Sequence, residues 1–289
     1  MDLRELSKYG QGDIDHYAPP ASYELVGQRF YFIMDDGKDY ELNFVSREAL
    51  EWNFVGEAPQ KAEYICSKGE ETTYLVSYEL GTTPRSNHTY VIDLENWLVT
   101  RISAKVGENA RYPYLITPRY EFGAIRRDGV EPTFKRHGYT SDLIGNIVQW
   151  NYGGMETVHI YYCANYYRIT YPPERASSQM FNETLAKLPS SDEPTAYIKI
   201  KEGVYLFSLT EANMERLVGA AMPFRSNTMC FIQNYKSVTL IGRAFGTLTY
   251  EDGDHALHKM FGAVGKVLEP ANTPDYIQKL LTDPNPYQV

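Results

Sequence analysis

No stretch of this chain approaches the ~18 consecutive apolar residues of a membrane-crossing helix, so no transmembrane span and no membrane partner are expected. Cysteine is scarce. Cys66, Cys163 and Cys230 stand far apart with no CxxC among them, which excludes a disulfide framework and a cysteine-based zinc module. Absent too are the GxGxxG and GxxxxGK[ST] loops that cradle phosphates and the GxSxG elbow of serine hydrolases. The expectation is therefore cofactor-free chemistry. His255 and His258 form HxxH, which lacks the spacing and glutamate of a zinc-protease helix, so the pair reads as solvent-facing and no metal is expected. Basic runs are missing and the formal net charge is −9, which argues against a nucleic-acid partner. The first fifteen residues are polar, without the apolar core of a secretory signal, so a soluble protein in the cytoplasm is expected.

What is abundant is tyrosine, with 25 in 289 residues. Aromatic rings suit the half-buried pleat of a strand, and phenols also suit a pocket that needs flat apolar contact with a polar tip. Strand-type segments recur about every ten residues: RFYFIM (29–34), DYELNFV (39–45), EALEWNFV (48–55), AEYICS (62–67), TTYLVSYEL (72–80), HTYVIDL (88–94) and LVTRISAKV (98–106). Short strands so spaced, with turn residues between them, predict an antiparallel sandwich or up-and-down barrel.

The second half repeats the first. YELVGQRFYFIMDDGKDYELNFV (23–45) matches SDLIGNIVQWNYGGMETVHIYY (141–162), with Gly27 against Gly145. YLVS (74–77) matches YLFS (205–208), and RSNHTYVIDLENWLVTRISAKVG (85–107) matches RSNTMCFIQNYKSVTLIGRAFG (225–246) on the shared Arg-Ser-Asn. The blocks keep their order, as loop insertions in a duplicated unit would leave them. The division expected is an arm (1–20), a first barrel (21–128) and a second barrel with C-terminal helices (135–289), the boundary falling in the charged 126–139 stretch. Helices are expected at 255–268, where Leu257, Met260, Phe261, Val264, Val267 and Leu268 share a helical face, and at 274–281, with a further helix or lid at 180–188.

These motifs resemble the MoaF-like proteins of the calycin (lipocalin-like) superfamily: a Gly followed by alternating aromatics, a Tyr-rich strand, then YLVSY…TYVIDLENWLVT, with ETVHIYY, YLFSLTE and IGRAFG in the second half. The resemblance implies an all-β, mainly antiparallel fold of two tandem lipocalin-like barrels with a few short helices, and an interior small-molecule site. Leu209 in SLTE departs from the aromatic expected there.

The densest polar-aromatic stretch is TVHIYYCANYYRITY (157–171). Folded as a hairpin, it puts Thr157, His159, Tyr161 and Cys163 on one face of the first strand, and Tyr166, Arg168 and Thr170 on one face of the second. If these faces coincide inside a barrel, His159, Tyr161 and Arg168 form a catalytic set: imidazole to move protons, guanidinium to orient a carboxylate or enolate. If the aliphatic face points inward instead, the same residues are a solvated outer face. Tyr166, Glu211 and Arg243 are candidate ligand-binding residues; the first-half position matching His159 is read as Glu41. The function expected is a cofactor-independent lyase or isomerase acting on a small aromatic or hydrophobic metabolite. The rival is a non-catalytic carrier or sensor of such a ligand, and a homodimer is compatible with either.

Overall fold

The structure is a computed structural model describing residues 16–82, 84–153, 156–170, 190–211, 224–269 and 275. Alternating apolar residues make the first eight strands. They are β1 (Arg29–Met34), β2 (Tyr40–Phe44), β3 (Ala49–Phe54), β4 (Gln60–Glu70), β5 (Thr73–Glu79), β6 (Ser86–Asp93), β7 (Leu98–Lys105) and β8 (Arg119–Ile125). Each pairs antiparallel with the next, and β8 returns to β1, closing a barrel. After the two-residue β9 (Gly138–Tyr139) come β10 (Ile147–Asn151), β11 (Glu156–Tyr161), β12 (Tyr166–Thr170) and β13 (Ser191–Lys201). They are followed by β14 (Val204–Thr210), β15 (Phe224–Asn234), β16 (Thr239–Tyr250) and β17 (Gly253–Val267). Here β17 pairs with β10 and β12 with β13, so β10–β17 close a second eight-stranded barrel, with β9 added beside β13. The fold is all-β, two antiparallel barrels in tandem.

Both barrels close with the same stagger. Following the paired registers round the first, from Phe32, the path returns to β1 at the level of Phe44, twelve residues on. From Trp150 the second returns at the level of Tyr162, again twelve. That exceeds the shear of ~8 in a TIM barrel of equal strand number, so the strands tilt more and enclose a wider interior.

Local devices also correspond. Gly27 and Gly145, both at positive φ, donate to the carbonyls of Phe44 and Tyr161. Trp97 and Val238 hold positive φ at the β6–β7 and β15–β16 turns. Register shifts fall at Lys68/Glu70 and Lys199/Lys201. The first pair of devices equates Phe44 with Tyr161, so the partner of His159 is the inward Leu42, not Glu41, which turns outward to Arg29. The Arg-Ser-Asn match is likewise out by one: Leu80 donates to the Ser86 carbonyl and Glu211 to the Asn227 carbonyl, so Asn227 corresponds to Ser86.

The helix expected at 255–268 is β17. Its apolar residues mimic a helical stripe because both faces of this strand are covered: Leu257, Phe261 and Ala263 belong to the barrel core, while Met260 packs into the seam between barrels. Gly262, where an added Cβ would strike the Tyr17 carbonyl, and Gly265, where it would strike the Trp150 ring, also disfavour a helix. The segments expected as helices at 180–188 and, apart from Asp275, at 274–281 lie outside the described residues.

The two barrels share a third core. Leu75, Val91 and Ile102 of the first meet Ile198, Ile200, Val204, Leu206, Cys230 and Ile232 of the second. Polar bonds cross the same seam: Tyr120 donates to Ser208 at 2.8 Å, and His258 bonds Ser77 at 2.9 Å. His258 is thus an inter-barrel contact rather than a solvent-facing residue.

Candidate functional site at the mouth of the second barrel

Period-2 alternation decides which side chains enter a barrel. On β11, Thr157, His159 and Tyr161 point inward, each 2% exposed or less. Val158 and Ile160 face out, into a small cluster with Ile147 and Leu268. The Tyr161 hydroxyl accepts from Trp150 Nε1 (3.2 Å) and Gln233 Nε2 (2.8 Å) and meets His159 Nδ1 at 3.3 Å. Burial drives the His159 pKa down to about 3, so the ring is neutral at physiological pH and does not shuttle protons there.

Arg168 does not join this set. The β11–β12 register puts Tyr167 opposite Tyr161 and Ile169 opposite His159, so alternation turns Arg168 to the outer face. There it pairs with Asp192 at 2.9 Å and lies over Tyr162. Tyr166, on the same outer face, is 45% exposed. Arg243 is fully buried but also outside the barrel, in the seam, where it donates to Thr89 Oγ1, the Thr228 carbonyl and Cys230 Sγ.

Glu211 is the candidate that lies at a groove between the barrels. It follows β14 with the inward parity of Phe207 and Leu209, and the registers of β13, β14 and β15 place it between Glu193 and Asn227. Asn227 Nδ2 donates to its carboxylate at 2.8 Å. Glu193, 2% exposed, accepts from Ser191 Oγ at 2.8 Å. Burial first, and the charge of Glu193 second, push Glu211 up to about 7, against the pull of Asn227. A carboxyl divided between its two protonation states near neutrality can give or take a proton.

Glu211 and Asn227 also line a groove of about 240 Å³ between the barrels, walled on the other side by Tyr112, Tyr114, Leu115 and Ile116 of the β7–β8 connection. Asn227 Oδ1 and Ser226 Oγ are buried there without hydrogen-bond partners. Such atoms are costly to leave unpaired and are suited to a ligand or water.

The combination of imidazole, phenols and guanidinium sought in the second barrel occurs in the first. Tyr40 hydroxyl meets His88 Nδ1 at 2.9 Å, and Tyr78 and Tyr90 hydroxyls lie 3.5 Å apart. Arg101 stacks over Tyr40, bonded to Asp36 and Glu121, with Nη1 unpartnered. Its sequence signal was the His-x-Tyr of 88–90, which repeats the His-x-Tyr of 159–161. Tyr40, Trp52, Phe54, Tyr78 and His88 pack ring against ring at centroid distances of 4.4 to 6.4 Å. Burial, then the Arg101 charge, lowers His88 to about 3. Among the described residues no group of three His, Cys, Asp or Glu side chains is placed to hold a metal ion.

No curated protein matches this chain. A solved structure described as "Crystal Structure of a putative beta-lactamase from Burkholderia vietnamiensis" aligns with 37% of this chain and 96% of that one, at 13% identity and a TM-score of 0.29. So loose a superposition carries nothing for fold or chemistry. Residues 3–108, through β7 and one strand short of closing the first barrel, match the MoaF N-terminal domain family.

Proposed function

We propose that the protein binds a small molecule at the mouth of its second barrel and acts on it as a cofactor-independent lyase or isomerase. Glu211 is the acid/base group. The observation that carries this reading is the half-buried Glu211 carboxyl, beside Glu193 and held by Asn227, at the edge of a groove with unpartnered polar atoms. As carboxylate, Glu211 removes a proton from carbon next to a carbonyl or carboxyl. As the resulting acid, it returns that proton to a neighbouring carbon, which isomerises the substrate, or to a departing oxygen, which completes an elimination. His159 and Tyr161 are neutral hydrogen-bonding groups deeper in the same barrel, on Gln233 rather than on Glu211. The eight strands and shear of twelve in each barrel support placing the pair among lipocalin-like, calycin folds, whose interiors take one small ligand.

The test is Glu211→Gln. Turnover of any substrate found by metabolite screening is expected to fall about 10²–10⁴-fold, with binding within about tenfold. Unchanged turnover would remove Glu211 from the mechanism. A ligand bound tightly but never converted would favour the carrier.

A further inference from the structure

The groove at the mouth is built by both barrels, and its chemistry is sided. One wall is apolar and aromatic: Tyr112 and Leu115 are 49% and 43% exposed, and Tyr114 lies under the Arg225 guanidinium at 5.1 Å. The floor is polar, with Ser226 Oγ and Asn227 Oδ1 unpartnered. The rim carries Arg111 and Arg225. In a chain of net charge −9, neither arginine makes an ion pair among the described residues. Arg225 spends only Nε, on Thr249 Oγ1, while the nearby Asp254 is held by the Tyr114 and Thr249 hydroxyls. Two guanidinium forks are therefore open beside ring surfaces.

We infer that this inter-barrel groove is a binding site for a small amphipathic carboxylate, its ring or chain against the Tyr112–Ile116 wall and its anion on Arg225 and Arg111. Serine and asparagine on the floor pair with a hydroxyl or amide of the same molecule. A guanidinium fork matches a carboxylate by two parallel hydrogen bonds, which an amide cannot reproduce. At about 240 Å³ the groove is below the size of drug-binding pockets, which limits the ligand to about one ring. The first barrel thereby becomes part of the site, contributing the wall that reads the apolar portion. The inference rests on the mouth being the working site but not on turnover there.

The experiment compares 4-hydroxyphenylacetate with its primary amide on the full chain, by saturation-transfer NMR and calorimetry. The acid is expected to bind at least tenfold more tightly than the amide. Arg225→Gln should remove that preference and Arg225→Lys restore it in part. Leu115→Ser, on the first barrel, should weaken both probes, with thermal unfolding of each variant confirming the fold. Equal affinity for acid and amide, or an Arg225→Gln variant that keeps the preference, would overturn the inference. If the acid binds as stated and no substrate is ever turned over, the groove stands and the acid/base reading of Glu211 falls. If a substrate is turned over while Leu115→Ser and Arg225→Gln leave its KM unchanged, the groove falls and the mouth remains.

Discussion

Arg243 of the second barrel donates a hydrogen bond to the Thr89 hydroxyl of the first, 2.9 Å away, from a site with no exposure to solvent. Its other nitrogens reach the Thr228 carbonyl at 2.9 Å and Cys230 Sγ at 3.1 Å. A buried guanidinium so held has no alternative partners. Arg243→Ala removes a donor from the Thr228 carbonyl and from Thr89, which keeps Asn87 and Ser77, and opens a void in the seam, at an expected cost of about 3–5 kcal/mol. Urea unfolding measures it, and a loss below about 1 kcal/mol would show the seam indifferent to this residue.

Glu211 makes stability depend on pH in an unusual direction. Its pKa rises from the ordinary 4.5 to about 7 on folding, so the folded chain keeps a proton that the unfolded chain releases. Stability is therefore greatest below the ordinary value and declines as pH rises through 7, by on the order of 3 kcal/mol. Glu211→Gln should remove that decline and be more stable than the parent at pH 8. If Glu211 is the base, kcat/KM rises through about pH 7 over the same interval. Thermal melts from pH 5 to 8 check the first point; a variant parallel to the parent would refute it.

Histidine acts oppositely. His88, His159 and His258 are each lowered to about 3, burial being the main cause in all three. The unfolded chain takes up protons near 6.5 that the folded one refuses, so stability is complete above that value and erodes as pH falls. The expected loss is about 2 kcal/mol per ring at pH 5. Histidine NMR should show these three rings not titrating between pH 5 and 8. A His159 midpoint near 6.5 would restore it as a proton shuttle.

Gly246 lies under the bulge that aims Ser226 and Asn227 at the groove. An added Cβ would collide with the Ser226 carbonyl and carbon and crowd Asn227 Cα. Gly246→Ala should shift this backbone, costing about 1–3 kcal/mol and weakening ligand binding more than Gly203→Ala, a turn substitution at the opposite end of the barrel. Equal effects on binding would separate the bulge from the site.

Alternation and turn spacing made the barrels legible from sequence, because a half-buried strand stamps its period on the chain. The same logic failed at β17, where Met260 is partly buried against the other barrel and Phe261 buried inside its own, so the period vanishes. At the site, alternation correctly grouped Thr157, His159 and Tyr161, but it could not say which face of β12 joined them. That depended on the pairing of Tyr161 with Tyr167. One residue of register moves Arg168 from core to surface. Glu193 carried no motif, and the Arg-Ser-Asn match that includes Asn227 said nothing of its meeting with Glu211, which depends on the pairing of three strands.

The seam has a consequence for how the protein can be handled. Leu75, Val91 and Ile102 are fully shielded only because the second barrel lies on them, and Ile198, Leu206 and Ile232 only because the first does. A half expressed alone would present a ridge of branched aliphatics on the outside of a complete cylinder, and each half is the other's natural cover. Carrying both halves in one chain fixes their pairing at one to one.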